Sequence, residues 1–263
     1  MGSKKYVIVF DLDETIGHFS QIYRFWNLIK GYLHDEKLDK VHLFNLFDTF
    51  PHYFRVNIFK LFKLIKNKKE NNLCNKVMIF TNNNGPLNWV SLIKEYIHKK
   101  LNYNLFDQII RAFKVNGEKI ELCRTSHEKS HKDFINCTKL PENTEICFID
   151  DVYHKKMEHE NVLYINLKPY YYIAEYEDLA YKFYNTNKKL FKNDYLHFKK
   201  FILENTHYDS YNCYIQKTTV EKNLEFLITE KLIKEISLFF NNKKIITRKN
   251  KNKRKHNTRK KLK

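Results

Sequence analysis

Asp11-Leu12-Asp13-Glu14-Thr15 follows directly on the apolar run Tyr6-Val7-Ile8-Val9-Phe10. Residues i and i+2 of an extended segment point to the same side, so Asp11 and Asp13 leave the end of a strand together. Like charges held that close repel. Both stay ionised only if a cation sits between them; otherwise one is protonated. Hard carboxylate oxygens suit Mg²⁺. The unbroken apolar run predicts a strand buried on both faces, as in a parallel sheet. Open α/β sheets bind ligands beyond the carboxyl ends of their strands, which is where this pair stands.

Other segments complete the requirements of a phosphoryl-transfer site. Val77-Met78-Ile79-Phe80 is a second buried-strand run and ends in Thr81-Asn82. Ile146-Cys147-Phe148-Ile149 is a third and ends in Asp150-Asp151. Between them lies Lys132, in Lys132-Asp133-Phe134. In this order the segments resemble the four-motif pattern of the haloacid dehalogenase (HAD) superfamily. Glu14 within Asp-Leu-Asp-Glu-Thr resembles the FCP/SCP-type, NLI-interacting-factor-like protein phosphatases, where the wider superfamily often carries Gly. The blocks 81–86 and 140–145 resemble versions found in large DNA viruses and protists. The resemblance spans residues 4–169.

The resemblance implies roles. Asp11 is the nucleophile that forms an aspartyl-phosphate. Asp13 is the general acid and base, protonating the leaving serine or threonine oxygen and then activating water. Mg²⁺ is held by Asp11, the backbone carbonyl of Asp13, and Asp150 or Asp151. Thr81 and nearby backbone N–H groups meet the phosphoryl oxygens, and Lys132 supplies positive charge in the transition state. Lys129 is the alternative lysine. Lys132 is preferred because Lys-Asp-Phe resembles the family's Lys-Asp-Leu. Thr15, Asn82 and Arg55 are expected to contact substrate. Two departures stand out: Arg55-Val56-Asn57 replaces Arg-Pro-Gly, and Asp150-Asp151 replaces Asp-Asn.

The elements that must position these groups follow from periodicity. The expected class is α/β: a HAD-like Rossmannoid fold over 1–170 with a parallel central sheet. Residues 14–53 are an insert with Ile22, Phe25, Trp26, Ile29 and Leu33 at helical spacing, followed by Val41, Phe44, Phe47 and Phe50. Either these helices extend the core, or their aromatic face forms a cap that narrows the site entrance; Gly17-His18 would begin that flap, with His18 able to reach substrate. Helices are predicted over 55–68 and from Pro86 through Leu101, with strands over 108–113 and 162–165. Residues 171–242 carry two amphipathic faces, one through Phe191, Tyr195, Phe198 and Ile202, the other through Leu224, Ile228, Leu232, Ile236 and Phe239. Core packing is the favoured reading of both.

The formal net charge is +18, and twelve Lys or Arg fall within 243–263 with no acid among them, leaving +6 for the rest. Such a block is usually solvated and disordered. It reads as a nuclear-import signal or a nucleic-acid contact driven by counterion release. Five scattered cysteines form no CxxC pair, which argues against a zinc site and suits a reducing compartment. No signal region or membrane span is expected, so the reading is a soluble, intracellular protein without a membrane partner. The favoured activity is a Mg²⁺-dependent protein serine/threonine phosphatase acting on a phosphoprotein. The alternatives are a nucleic-acid end phosphatase and a catalytically weak HAD-like scaffold.

Overall fold

β1 (Tyr6–Phe10) is buried along its whole length, and its alternate residues feed two different cores. Ile8 and Phe10 point into the larger cluster, Val7 and Val9 into the smaller. A strand that is apolar on both faces can be stable only between two layers, and here it is the middle strand of five. In this computed structural model, residues 6–86, 88–209 and 217–241 are described.

β1 pairs in parallel with β2 (Lys76–Phe80) on one side and β6 (Glu145–Asp150) on the other, Val9 lying opposite both Met78 and Phe148. β3 (Gln108–Ile110) and β7 (Val162–Asn166) extend the sheet outward, giving the parallel order β3-β2-β1-β6-β7. The chain winds from β1 through β2 to β3, then crosses back to β6 beside β1. The strand order therefore reverses between β1 and β6, and that crevice is where such sheets bind ligands. The fold is α/β with helices on both faces, consistent with a Rossmann-like arrangement.

The smaller core is covered by the short α5 (His131–Thr138), through Phe134. The other α-helices among the described residues pack on the larger core: α1 (Ser20–Leu33), α2 (Lys40–Thr49), α3 (Ile58–Glu70), α4 (Trp89–Leu101), α6 (Tyr176–Thr186), α7 (Tyr195–Thr206) and α8 (Thr219–Phe240). β4 (Lys114–Val115) and β5 (Glu118–Lys119) form a small antiparallel hairpin apart from the sheet.

The helices of the 14–53 insert extend the core. Ile22, Phe25 and Ile29 are fully buried, with Phe25 packed against Tyr176 and Phe183 of α6. The aromatic face of α1 thus turns away from the site entrance, and its opposite, more polar side is left outward. A buried polar pin holds it: the Gln21 amide donates to the Ala174 carbonyl and accepts from the Ala174 N–H and the Tyr53 hydroxyl, at 2.8, 2.9 and 2.6 Å. Burying an amide without partners would cost about 1–3 kcal/mol, so this network fixes α1 to the loop after β7. Gly17 is needed next to it. A Cβ there would stand 2.3 Å from the Tyr53 carbonyl oxygen, across the bridge to Phe54.

The segments beyond Pro169 share this core. Tyr32 of α1 meets Phe198 and Phe201 of α7, and Phe239 and Phe240 of α8 pack on Tyr6. α8 starts at a capping box in which the Thr218 hydroxyl accepts from the Glu221 N–H and the Glu221 carboxylate accepts from the Thr218 N–H. α6 was not anticipated by the apolar spacing. No helix among the described residues is long and apolar enough to cross a membrane. The basic tail 243–263, with its expected import or nucleic-acid role, lies outside the described residues, as do Leu87 and Cys213.

One covalent feature departs from the cysteine reading. Cys123 and Cys137 are joined by a disulfide across 14 positions, whereas Cys74 and Cys147 are buried free thiols. Residue spacing could not pair them, because the fold brings the loop after β5 onto the end of α5. Thiol titration of the denatured, unreduced chain is therefore expected to count two fewer thiols than after reduction. Equal counts would remove the crosslink.

Candidate functional site

The site forms where β1 and β6 end. Asp11 follows β1 directly, and its N–H donates to the Ile149 carbonyl at 2.9 Å, which ties the first carboxylate to the strand that delivers Asp150. Oxygens of Asp11, Asp150 and Asp151 lie within 4.8 Å of one another. Lys129 closes the cluster. Its Nζ donates to Asp11 Oδ1 at 2.5 Å and to Asp150 Oδ2 at 2.7 Å, and the side chain is only 2 % exposed. The rings of Phe80 and Phe148 flank the ammonium at 5.8 and 5.9 Å.

Lys132 is not in this site: it is exposed on the first turn of α5. The reason is the helix cap. Ser130 caps α5 by accepting from the Asp133 N–H at 3.1 Å, which leaves Lys129 on the incoming loop and Lys132 on the outer surface. Asp133 turns inward instead and accepts from the Thr125 hydroxyl at 2.9 Å. The lysine at the carboxylates is therefore Lys129, and the expectation for Lys132 is corrected.

Asp13 stands beside the cluster, and its Oδ2 accepts from the Asn83 amide at 2.8 Å. Asn83 carries no signal in the sequence beyond its place in an asparagine run. It is held by the motif-two turn, where its N–H donates to Thr81 Oγ1 at 2.9 Å and its Oδ1 accepts from the Gly85 N–H at 3.0 Å. Thr81 is buried at the end of β2, and its hydroxyl proton has no partner among the described residues. The Asn82 side chain is exposed and makes no hydrogen bond there, so the contact to Asp13 comes from its neighbour.

Two expected substrate contacts are internal braces. The Thr15 hydroxyl donates to Asp151 Oδ1 at 3.0 Å and accepts the Asp151 N–H at 3.1 Å. Its one proton is spent on fixing Asp151. Arg55 is 2 % exposed and donates to the carbonyls of Thr15, Glu14 and Lys168 at 2.7, 2.6 and 2.9 Å. A buried guanidinium with its Nε and Nη2 committed to backbone carbonyls braces the Asp11–Thr15 turn. Within that turn Glu14 takes φ 54°, the left-handed region that costs a non-glycine residue roughly 1 kcal/mol. Asn57 takes φ 60° where the resembled motif has glycine, and asparagine tolerates that region. His18 is buried, with Nδ1 2.7 Å from the Tyr172 carbonyl, so it ties the turn to the loop after β7.

Arg124 is a further brace that spacing does not reveal. It is fully buried, stacked 4.8 Å from the Phe80 ring, and donates to the carbonyls of Thr81, Arg111 and His127 at 3.2, 2.8 and 3.0 Å. It joins the end of β2 to the loop that carries Lys129.

The electrostatics are those of a crowded, dry carboxylate site. Burial pushes the Asp11 carboxyl up to about 7, against the pull of Lys129. Burial likewise raises Asp13 to about 6 and Glu14 to about 7, and it raises Asp150. Burial alone would lower Lys129, but the Asp11 and Asp150 carboxylates outweigh it and hold the ammonium above its usual value. His154, with Nε2 3.6 Å from Asp150 Oδ2, is lowered to about 4 by burial and by Lys129, so it stays neutral. One ammonium among three carboxylates leaves negative charge uncompensated, and a divalent ion on Asp11, Asp150 and Asp151 would remove it. The donor set, all hard oxygen, fits Mg²⁺.

Fold and site together define a Rossmann-like α/β protein with a metal-competent carboxylate cluster at the switch point of its sheet. Comparison with protein-family models, with curated proteins and with solved structures gives no match to this chain.

Proposed function

We propose that the chain is a Mg²⁺-dependent phosphoric monoester hydrolase of HAD type, resembling FCP/SCP protein phosphatases and acting on phosphoserine or phosphothreonine. The observation that carries this reading is the meeting of the Asp11, Asp150 and Asp151 carboxylates at one point, with Lys129 hydrogen-bonded to Asp11 and Asp150 and Asp13 alongside. A structural ion pair would need no third carboxylate and no second titratable group at its edge.

Asp11 attacks phosphorus, and the bond from phosphorus to the substrate oxygen breaks. Asp13, with its pKa near neutrality, gives its proton to that oxygen, so serine or threonine leaves as the alcohol. Water then attacks the aspartyl-phosphate while Asp13 takes its proton. Phosphate departs and the Asp11 carboxylate is restored. Lys129 stays protonated throughout and balances charge spread over the phosphoryl oxygens, as does the Thr81 hydroxyl. Asp11, Asp150 and Asp151, with the Asp13 carbonyl, would hold Mg²⁺, which supplies the remaining positive charge.

Chelation tests this. EDTA is expected to lower turnover of p-nitrophenyl phosphate by about 100-fold or more, and Mg²⁺ to restore it. Independently of activity, millimolar Mg²⁺ should raise the thermal midpoint of the wild-type protein, since a ligand of the native state alone stabilises it. Asp150→Ala should abolish that shift. Full turnover in chelator, or a shift unaffected by Asp150→Ala, would refute the metal assignment.

A further inference from the structure

The Cys123–Cys137 disulfide has a third neighbour. Glu121, Cys123 and Cys137 bring a carboxylate oxygen and two sulfurs within 4.8 Å of one another, and all three residues are half-buried. Glu121 and Cys123 stand in the loop after β5, and Cys137 lies in the last turn of α5. No CxxC spacing announces the group, because its sulfurs come together only in the fold. The carboxylate is aimed. Its Oε2 accepts the Arg111 N–H at 3.1 Å, which leaves Oε1 3.2 Å from Cys123 Sγ. A disulfide sulfur has no proton to donate, so in the crosslinked chain this contact sets one acceptor against another. It becomes favourable only once the S–S bond is open and a proton or a cation stands between oxygen and sulfur. The segment of the third ligand is fixed as well, since the Gln108 amide donates to the Cys137 carbonyl at 3.0 Å.

We infer that the reduced chain holds a thiophilic divalent cation, Zn²⁺, on Glu121 Oε1, Cys123 Sγ and Cys137 Sγ, apart from the carboxylate cluster at Asp11. The inference does not rest on the phosphatase reading. Donor type separates the two sites: thiolate sulfur selects Zn²⁺, whereas an all-oxygen set suits Mg²⁺. Cys74 and Cys147 are poor rivals, because a metal ligand must be a thiolate. Both are buried, and burial pushes the Cys74 thiol up to about 12 and raises Cys147 as well. Three protein ligands leave a fourth tetrahedral position for water, so the ion should exchange and yield to chelator. The reduced state is reached by thiol–disulfide exchange with a dithiol. One reductant thiolate attacks a disulfide sulfur, the S–S bond breaks, and a mixed disulfide forms. The second reductant thiol then closes the reductant's own disulfide and releases the protein sulfur. Two electrons and two protons thereby pass to Cys123 and Cys137, and Zn²⁺ displaces both protons to solvent. The same stretch of 14 positions is closed by a covalent bond in one state and by metal in the other. Either closure holds the segment that carries Arg124 and Lys129.

The test uses the full-length chain, reduced with a phosphine and kept free of air, with Co²⁺ as the probe. Stoichiometric Co²⁺ should produce a thiolate-to-cobalt charge-transfer band, and Zn²⁺ should bleach it. The oxidised chain should show no such band. Cys123→Ser and Cys137→Ser should each lose most of it. Glu121→Gln keeps an oxygen for the Arg111 N–H but loses the anionic ligand, so it should weaken Co²⁺ binding about tenfold or more. Asp150→Ala should leave the band unchanged, which places the ion outside the carboxylate cluster. Thermal midpoints are read beside the spectra. Where a serine variant melts well below wild type, Glu121→Gln on a folded chain decides. Absence of the band in the reduced wild type would reduce the contact to a thiol–carboxylate hydrogen bond and overturn the inference. So would a band that survives both serine variants, one lost with Asp150→Ala, or an affinity untouched by Glu121→Gln.

Discussion

Asp11→Asn is expected to abolish turnover, lowering kcat on p-nitrophenyl phosphate by about 10⁴-fold or more. The carboxamide is nearly isosteric, so the local structure has little reason to change. The residue 11 N–H still donates to the Ile149 carbonyl, and the amide oxygen can still accept from Lys129. What is lost is the nucleophile, because a neutral amide oxygen cannot form the acyl-phosphate. The substitution also removes one charge from a site where Asp150 and Asp151 both raise the Asp11 pKa, so the metal-free protein should unfold at a similar or higher temperature. Turnover and thermal unfolding of the same preparation separate chemistry from fold. Near-normal rates with Asp11→Asn would assign the nucleophile elsewhere.

Lys129 and Lys132 should respond in opposite ways. Removing Lys129 leaves Asp11 and Asp150 buried without their shared ammonium, and breaking a buried pair costs roughly 3–5 kcal/mol. Lys129→Met keeps most of the volume and isolates the charge. In chelator it should lose a large part of that stability in denaturant unfolding, and added Mg²⁺ should recover some of it. Turnover should fall by about 10²–10³-fold, the scale for removing one charge-stabilising donor. Lys132→Ala, on the exposed first turn of α5, should stay within about 0.5 kcal/mol of wild type and within about twofold in rate. Were Lys132→Ala the crippling change and Lys129→Met benign, the geometry described for α5 would be wrong.

The fold class was legible because a parallel strand buried on both faces leaves a compositional mark. The runs before Asp11, Thr81 and Asp150 are apolar at every position, and each became a central strand. The amphipathic faces of α1, α7 and α8 were legible for a similar reason, since one wet side and one dry side force a helical period. What such a face packs against is not encoded in its period. The aromatic stripe of α1 would look the same over a site entrance as against Phe183, and only the tertiary arrangement put it in the core.

The candidate site divides along the same line. Asp11, Asp13, Asp150 and Asp151 could be read from sequence, because each sits at the end of a strand and the sheet itself carries them to one edge. Lys129 could not, because its loop has no period and the choice between it and Lys132 turns on which residue caps α5. Arg55 and Thr15 have the residue types of ligand contacts. Their burial, with donors already committed to the backbone and to Asp151, makes them braces. Asn83 and Arg124 were invisible, since a hydrogen bond across 70 positions, or a guanidinium bridging two loops, leaves no mark in local spacing. Sequence by itself determined which strands exist and which acids they deliver, because those follow from local burial and period. Tertiary structure alone decided which cation meets those acids and which polar side chains remain free to meet a ligand, because both depend on what is left over after every other donor and acceptor has been paired.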